Sequence, residues 1–419
     1  MAAAAASAAT WRPTPERVVP LPASGGWRRG ALFLHLALWV PYLTSAVPAL
    51  HQDGQFPVRP VFFMAGLGLA NLAWIGAKRP DYPRLAFLLL ALLALRTVDA
   101  ALLQRQPEGV DPEQAGDALS HLANLFSAAV IFTSLGVFHR TGFAPVRRLA
   151  AGSILVLAGS IFAEFLGLCT YTTVPGRPSG FPGDANDAAM ALNLLLGVYL
   201  SLSRRFWWNL AFIGLVLSAI IPTLSRGGFL NFSLIAGAYA LLNLRGNVGR
   251  FTVASVLAVA LGGAIAGVVA DRTSNASGTD ANARARLSAL FGGEVDDLQS
   301  GERWKDLQDG LEGASVRPLT GLGTGTGQTL YQPHNQLVTV WIDLGLFAAL
   351  VYGGLVAAVL ALSLFSGFRA IYCALPLAGY IPLAQTLLDN HAYTYAAAVA
   401  MVLTATRFWS FRLYRPRTA

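Results

Sequence analysis

Gly321-Leu322-Gly323-Thr324-Gly325-Thr326-Gly327, followed by Tyr331-Gln332-Pro333-His334-Asn335, closes the longest polar segment of a very apolar chain. An apolar run begins at once near Leu337. Glycines, a proline, a histidine and an asparagine therefore meet where water is expected to give way to lipid. A glycine-rich turn lets backbone amides come close to a ligand. Histidine is the side chain best suited to moving protons near neutral pH. The stretch predicts the core of an extracytoplasmic active site, with the other helices holding it in place.

The rest of the composition supports a membrane protein. The 419 residues are 54% hydrophobic and 12% charged, with mean hydropathy +0.52. A soluble protein carries about 25% charged residues, so the deficit points to lipid contact along most of the chain. The formal charge is +8 and the pI about 9.8. In a membrane protein this excess is explained by Lys and Arg at cytoplasmic helix ends and implies no nucleic acid. Cys169 and Cys373 lie in or beside apolar runs and offer no disulfide framework.

Twelve spans are expected, at 31–50, 61–76, 85–103, 121–138, 149–170, 187–202, 206–222, 228–243, 250–270, 335–363, 367–384 and 391–406. Pro222, Pro376 and Pro382 are expected to bend or break their helices. The first span lacks a clean cleavage site and reads as a retained helix rather than a signal peptide. The organisation predicted is a disordered cytoplasmic tail (1–30), nine spans (31–270), a large outer loop folded onto the bundle (271–334), three more spans (335–406) and a basic cytoplasmic tail (407–419). With the N-terminus in the cytoplasm, the inner connectors and the two tails together hold 19 of the 30 Lys and Arg and 2 of the 22 Asp and Glu. The large loop has two short helical candidates, 281–291 and 302–312, and too little apolar mass to fold alone.

His334 heads the tenth span, where Asn335 is placed to cap the helix and hold it. The glycine run, Gly321 and Gly323 included, reads equally as a hinge or as backbone cradling a substrate. No Gly-Lys-Ser/Thr follows, so it is not a nucleotide loop, and it lies on the side away from ATP. Arg226, in Thr223-Leu224-Ser225-Arg226-Gly227-Gly228, is an isolated outer arginine suited to forked hydrogen bonds with a diphosphate or to a salt bridge. Arg177 and Asn186 bracket an irregular loop before the sixth span. Arg177 is a candidate second phosphate ligand, and Asn186 a cap or a sugar ligand. Arg303, Trp304 and Lys305 form a cationic and aromatic cluster; Trp304 suits either a sugar face or loop packing.

Glu164 is costly in lipid unless it is paired or faces a cavity. Arg96 and Asp99, one turn apart, either pair with each other or sit near the outer end of their span. Asp389, Asn390 and His391 mark the outer start of the last span, placed to orient an acceptor or pair with an arginine. The scattered acids form no metal shell. Together these residues suggest arginines that neutralise a leaving diphosphate and a histidine that takes the proton of an attacking hydroxyl. Attack opposite the leaving group inverts the anomeric carbon. Neither a metal nor a cofactor is required.

The chain resembles the O-antigen ligase and polymerase superfamily of bacterial membrane proteins over about residues 120 to 406. The resemblance is carried by Arg177…Gly180-Phe181…Asn186, Leu224-Ser225-Arg226-Gly227, Arg303-Trp304, Pro318-Leu319-Thr320-Gly321-Leu322-Gly323 and His334-Asn335-Gln336-Leu337…Asp343-Leu344-Gly345-Leu346. Asp343 stands where the family more often has Glu. The resemblance implies an all-α polytopic fold like that of membrane glycosyltransferases with polyprenyl-linked donors (GT-C-like). It implies an enzyme of the bacterial inner membrane whose site faces the periplasm and whose termini are cytoplasmic. The substrates implied are undecaprenyl-diphosphate-linked O-antigen and lipid A–core oligosaccharide, with membrane lipid around them and no ATP. His334 is then the base, and Arg177 and Arg226 the diphosphate ligands. Repeat-unit polymerases and protein O-oligosaccharyltransferases share these motifs; one large outer loop, twelve spans and modest length favour the ligase. The competing class is a transporter of a lipid-linked or anionic solute, which would place its charges near the midplane rather than on the outer side.

Overall fold

The computed structural model describes residues 25–52, 59–76, 82–103, 118–172, 176–244, 297–365, 369–405 and 410–411, with a few isolated positions besides. The ninth expected span, 250–270, and the candidate helix 281–291 lie outside the described residues, as do most of both tails.

The fold is mostly helical. In chain order the helices are α1 (Gly25–Leu43), α2 (Ala46–Gln52), α3 (Pro60–Gly76), α4 (Arg84–Val98), α5 (Ala118–Thr141), α6 (Ala144–Phe165) and α7 (Ala185–Leu202). They continue with α8 (Phe206–Thr223), α9 (Arg226–Asn243), α10 (Asp297–Val316), α11 (Gln336–Leu344), α12 (Leu346–Phe365), α13 (Ile371–Gly379) and α14 (His391–Thr404). A π turn, Asp99–Leu103, extends α4, and a second, Gly327–Tyr331, precedes α11. One short antiparallel pair joins Tyr82–Pro83 to Ser410–Phe411.

Among the described residues, six helices are long and apolar enough to cross a membrane. They are the segments 84–103, 118–139, 144–165, 185–202, 206–223 and 346–365. Three of the expected spans break. The first splits at Thr44 and Ser45, where Ser45 adopts φ 58° and the Thr44 hydroxyl donates to the Val40 carbonyl at 2.7 Å. The tenth splits at Gly345 (φ 91°), which separates α11 from α12. The eleventh is reduced to α13, with Pro376 inside it and irregular chain after Tyr380. Helices as short as α11 and α13 rise roughly 13 Å at 1.5 Å per residue, far less than a bilayer core of about 30 Å. Hydropathy merges such pieces into the longer run beside them.

The centre of the bundle is α7, buried on nearly every face. Beyond its polar first turn it is mostly apolar on every face, as a helix surrounded by other helices is. Gly197 lets α13 cross it closely: a Cβ there would overlap the Tyr372 carbonyl.

The expected outer connectors gather at one end of the bundle. There Arg96 reaches Asp389, Arg177 reaches Thr223, and the Leu387 amide donates to Gln336. The opposite end joins Ser201 to Cys373 and Asn243 to Tyr372. Alternating spans require this separation.

Candidate active site

Glu164, at the end of α6, shapes the loop before α7. Its Oε1 accepts the amides of Tyr171 (2.7 Å) and Thr172 (2.6 Å), and its Oε2 accepts those of Ser179 and Gly180, both at 2.8 Å. A buried carboxylate is tolerated here because four N–H groups surround it. The loop so folded buries Arg177, whose Nε donates to the Thr223 carbonyl at 3.1 Å and whose Nη2 donates to Asn186 Oδ1 at 3.2 Å. Ser225 donates to the same Asn186 oxygen at 3.0 Å while accepting the Gly228 amide as the cap of α9. Asp184, not Asn186, caps α7. Arg177, Asn186 and Ser225 are thus linked across three segments, and Arg226 follows Ser225 in the chain.

The two arginines differ. Arg177 is engaged by protein groups. Arg226, in the first turn of α9, has its Nε and Nη2 buried without a hydrogen-bond partner among the described residues. A buried guanidinium edge left unmatched is costly. The start of a helix also carries free amides and the positive end of its dipole, and both favour an anion.

His334 sits in a strained turn. Its φ is 48° and that of Gln332 is 43°, left-handed values that non-glycine residues seldom adopt. The turn is held by the His334 amide on Gln385 Oε1 at 3.2 Å and by Asn335, which caps α11 through the Leu337 and Val338 amides. The His334 side chain is half-buried, with Nε2 3.8 Å from Asp306 Oδ2 on α10. Burial and nearby Arg303 push its pKa below the ordinary imidazole value, against the pull of Asp306. The ring is therefore neutral near pH 7, as a proton acceptor must be. Arg303 and Trp304 are both exposed, Trp304 at 61%.

The glycine turn is built differently from the cradle that its composition suggests. The Gly321 amide donates to the Arg317 carbonyl, and the Gly323 amide to that of Asp343. The Gly325 and Gly327 amides donate to the Asp343 carboxylate at 3.1 and 2.8 Å. Thr324 donates to Asp99 through both its amide and its hydroxyl. These amides are consumed within the fold, so Gly321 and Gly323 act by allowing close approach. A Cβ on Gly321 would overlap the Asp343 carbonyl, and one on Gly345 that of Leu319. Of the two readings of Arg96 and Asp99, pairing with each other is not the one found. Asp99 straps the glycine turn, while Arg96 forms a forked pair with Asp389 at 2.8 and 3.0 Å.

Asn124 also donates to Asp389, at 3.0 Å, and His121 lies 3.8 Å away. Burial opposes the charge on Asp389, yet Arg96 and His121 hold its carboxyl below the ordinary carboxylate range. His391 meets the Tyr42 ring edge to face at 5.2 Å. The segment between α13 and α14 connects these groups to the rest of the site. Gln385 holds the His334 turn, Leu383 lies against Gly227 beside Arg226, and Leu387 donates to Gln336. Gln336 stands in the quoted His334-Asn335-Gln336-Leu337 motif without a role assigned to it; Gln385 is missed by the sequence, its signal being an amide side chain within an apolar stretch.

His334 and the unmatched edge of Arg226 thus lie on segments that the chain between α13 and α14 connects. Residues 210–353 match the family model described as O-antigen ligase. The match covers less than half of the chain; it supports the O-antigen ligase and polymerase superfamily and suggests an enzyme of the membrane-glycosyltransferase kind. The matched stretch contains Arg226, Arg303, the glycine turn and His334, whereas Arg177, Asn186, Asp389 and His391 lie outside it. No curated protein matches the chain.

Proposed function

We propose that the protein is an O-antigen ligase. It moves O-antigen polysaccharide from undecaprenyl diphosphate to a hydroxyl of lipid A–core at the periplasmic face of the inner membrane. The observation that carries this reading is the buried, unmatched edge of Arg226 at the start of α9, in the same family domain as a neutral His334.

The acceptor oxygen attacks the anomeric carbon of the donor sugar from the side opposite the diphosphate. A carbon–oxygen bond forms, the bond from that carbon to the diphosphate oxygen breaks, and its electron pair leaves with the diphosphate. Arg226 and the first amides of α9 meet the charge that grows there, with no call on a metal ion or ATP. The acceptor proton passes to His334 Nε2 and then to water. Attack from the rear inverts the anomeric centre. Arg177 holds Asn186 and the end of α8 in place and so presents Arg226. Trp304 offers a ring to a sugar face. The fold is then of the kind used by other membrane glycosyltransferases with polyprenyl-linked donors.

The test is a knockout complemented with variants, read on its lipopolysaccharide. His334→Ala loses the O-antigen ladder while the protein remains in the membrane at wild-type level. Arg226→Ala loses more of the ladder than Arg226→Lys, which keeps the charge without the fork. A normal ladder with His334→Ala contradicts the assignment of the base. A repeat-unit polymerase would use the same donor contacts but extend a lipid-linked glycan instead of capping lipid A–core, which the same gel separates.

A further inference from the structure

Three cavities at the site end of the bundle share their walls. One of about 420 Å³ is lined by Asn124, Asp187, Gln328 and Asn390. A second, about 220 Å³, shares Asp187 and Asn390 with it and adds Tyr42 and His391. A third, about 360 Å³, shares Asn124 with the first and Tyr42 and His391 with the second. They form one branched groove. Its inner end is at Gln328 and Thr386, next in sequence to the Gln385 that holds the His334 turn. Its outer end is the rim at His51 and Arg59, between α2 and α3.

The chemistry of the groove changes along its length. The inner part is lined by amides, hydroxyls and carboxylates, the partners of sugar hydroxyls. Tyr42 and His391 add ring faces that suit sugar carbons. The positive charge near this inner part is Arg96, which is spent on Asp389, and the carboxylate of Asp187 also lines the wall. An anion is disfavoured there. At the rim the order reverses: Arg59 is exposed, and no carboxylate lines the third cavity among the described residues.

We propose that this groove holds the acceptor saccharide and that Arg59 binds a phosphate carried by that saccharide away from the reacting hydroxyl. The assignment rests on the ligase reading above. It makes Arg59 a specificity residue for the acceptor, working through a forked contact to phosphate oxygens. The donor site at Arg226 lies outside the groove lining and is left unaffected.

The experiment measures direct binding of two acceptors to the purified full-length protein: phosphorylated lipid A–core, and the same material after its phosphates are removed with hydrofluoric acid. The wild type is expected to bind the phosphorylated form about tenfold more tightly, a typical share for one charge-assisted contact. Arg59→Ala is expected to lose that preference and bind both forms alike, and Arg59→Lys to keep part of it. In turnover, the acceptor KM rises while kcat and the donor KM stay unchanged. Arg59→Ala retaining the preference, or weakening both acceptors equally, overturns the proposal. So does an Arg59 effect that follows phosphatidylglycerol in the surrounding bilayer rather than the phosphates of the acceptor. Preferential binding without any transfer by the wild type counts against the ligase reading and not against Arg59.

Discussion

Arg96 on α4 and Asp389 just before α14 are joined by two parallel hydrogen bonds, at 2.8 and 3.0 Å, with the arginine almost fully buried. The pair ties the third expected span to the loop that carries Gln385 and leads into His391 at the start of α14. Removing one partner of such a pair strands the other charge. Arg96→Met or Asp389→Asn is expected to lower stability by about 3 kcal/mol. The double variant should lose less than the two singles combined, because it leaves no uncompensated charge. Thermal unfolding in detergent checks both statements; strictly additive losses would contradict them.

Glu164→Gln should loosen the loop residues 176–184 rather than the bundle. The amide replaces one acceptor oxygen with a donor and turns N–H groups of the nest from partnered to opposed. A loss of about 1–3 kcal/mol is expected locally. Hydrogen exchange should rise at Ser179 and Gly180 while α7 stays protected. Unchanged exchange in the loop would show that the carboxylate does not organise it.

Gly345→Ala should destabilise the junction of α11 and α12. The position combines φ 91° with direct contact to the Leu319 carbonyl. A cost of about 1–3 kcal/mol follows from the backbone alone, before the overlap is counted. Melting temperature reads it, and Gly354→Ala, in open space on α12, is the control expected to change little.

Asn335 is legible as a cap because it is a polar residue at the edge of an apolar run, and it caps its helix as its type predicts; the same edge position marks His334 and Arg226 as candidates. The fate of the glycine turn was not legible, because Asp99 lies 225 residues from Thr324 and Asp343 lies in the following helix. Composition reveals that amides can approach something closely. It does not say whether that partner is a ligand or the protein's own carboxylate. The break at Gly345 was hidden for a related reason: Leu344 and Leu346 are apolar on both sides, and hydropathy does not register a dihedral angle.

The pH dependence of transfer should follow His334. Burial and Arg303 disfavour the imidazolium, so the neutral base persists below the ordinary imidazole pKa of about 6.5. The rate should be flat at pH 7 and fall only on acidification below that value. Arg303→Gln removes a neighbouring cation and should move the acid limb to higher pH. Asp306→Asn removes the opposing anion and should move it lower. Both shifts should shrink at high salt, since Arg303 is exposed. An acid limb that ignores both variants would dissociate it from this histidine.

The most direct test is transfer in a purified system that contains only the protein in lipid, an undecaprenyl-diphosphate-linked glycan and lipid A–core, without ATP. The wild type is expected to build glycan onto lipid A–core. His334→Gln is expected to do so at least about 100-fold more slowly, the usual share of a general base, while binding donor and acceptor normally. A wild type that makes no product, or a His334→Gln variant that matches it, would contradict the account at its centre.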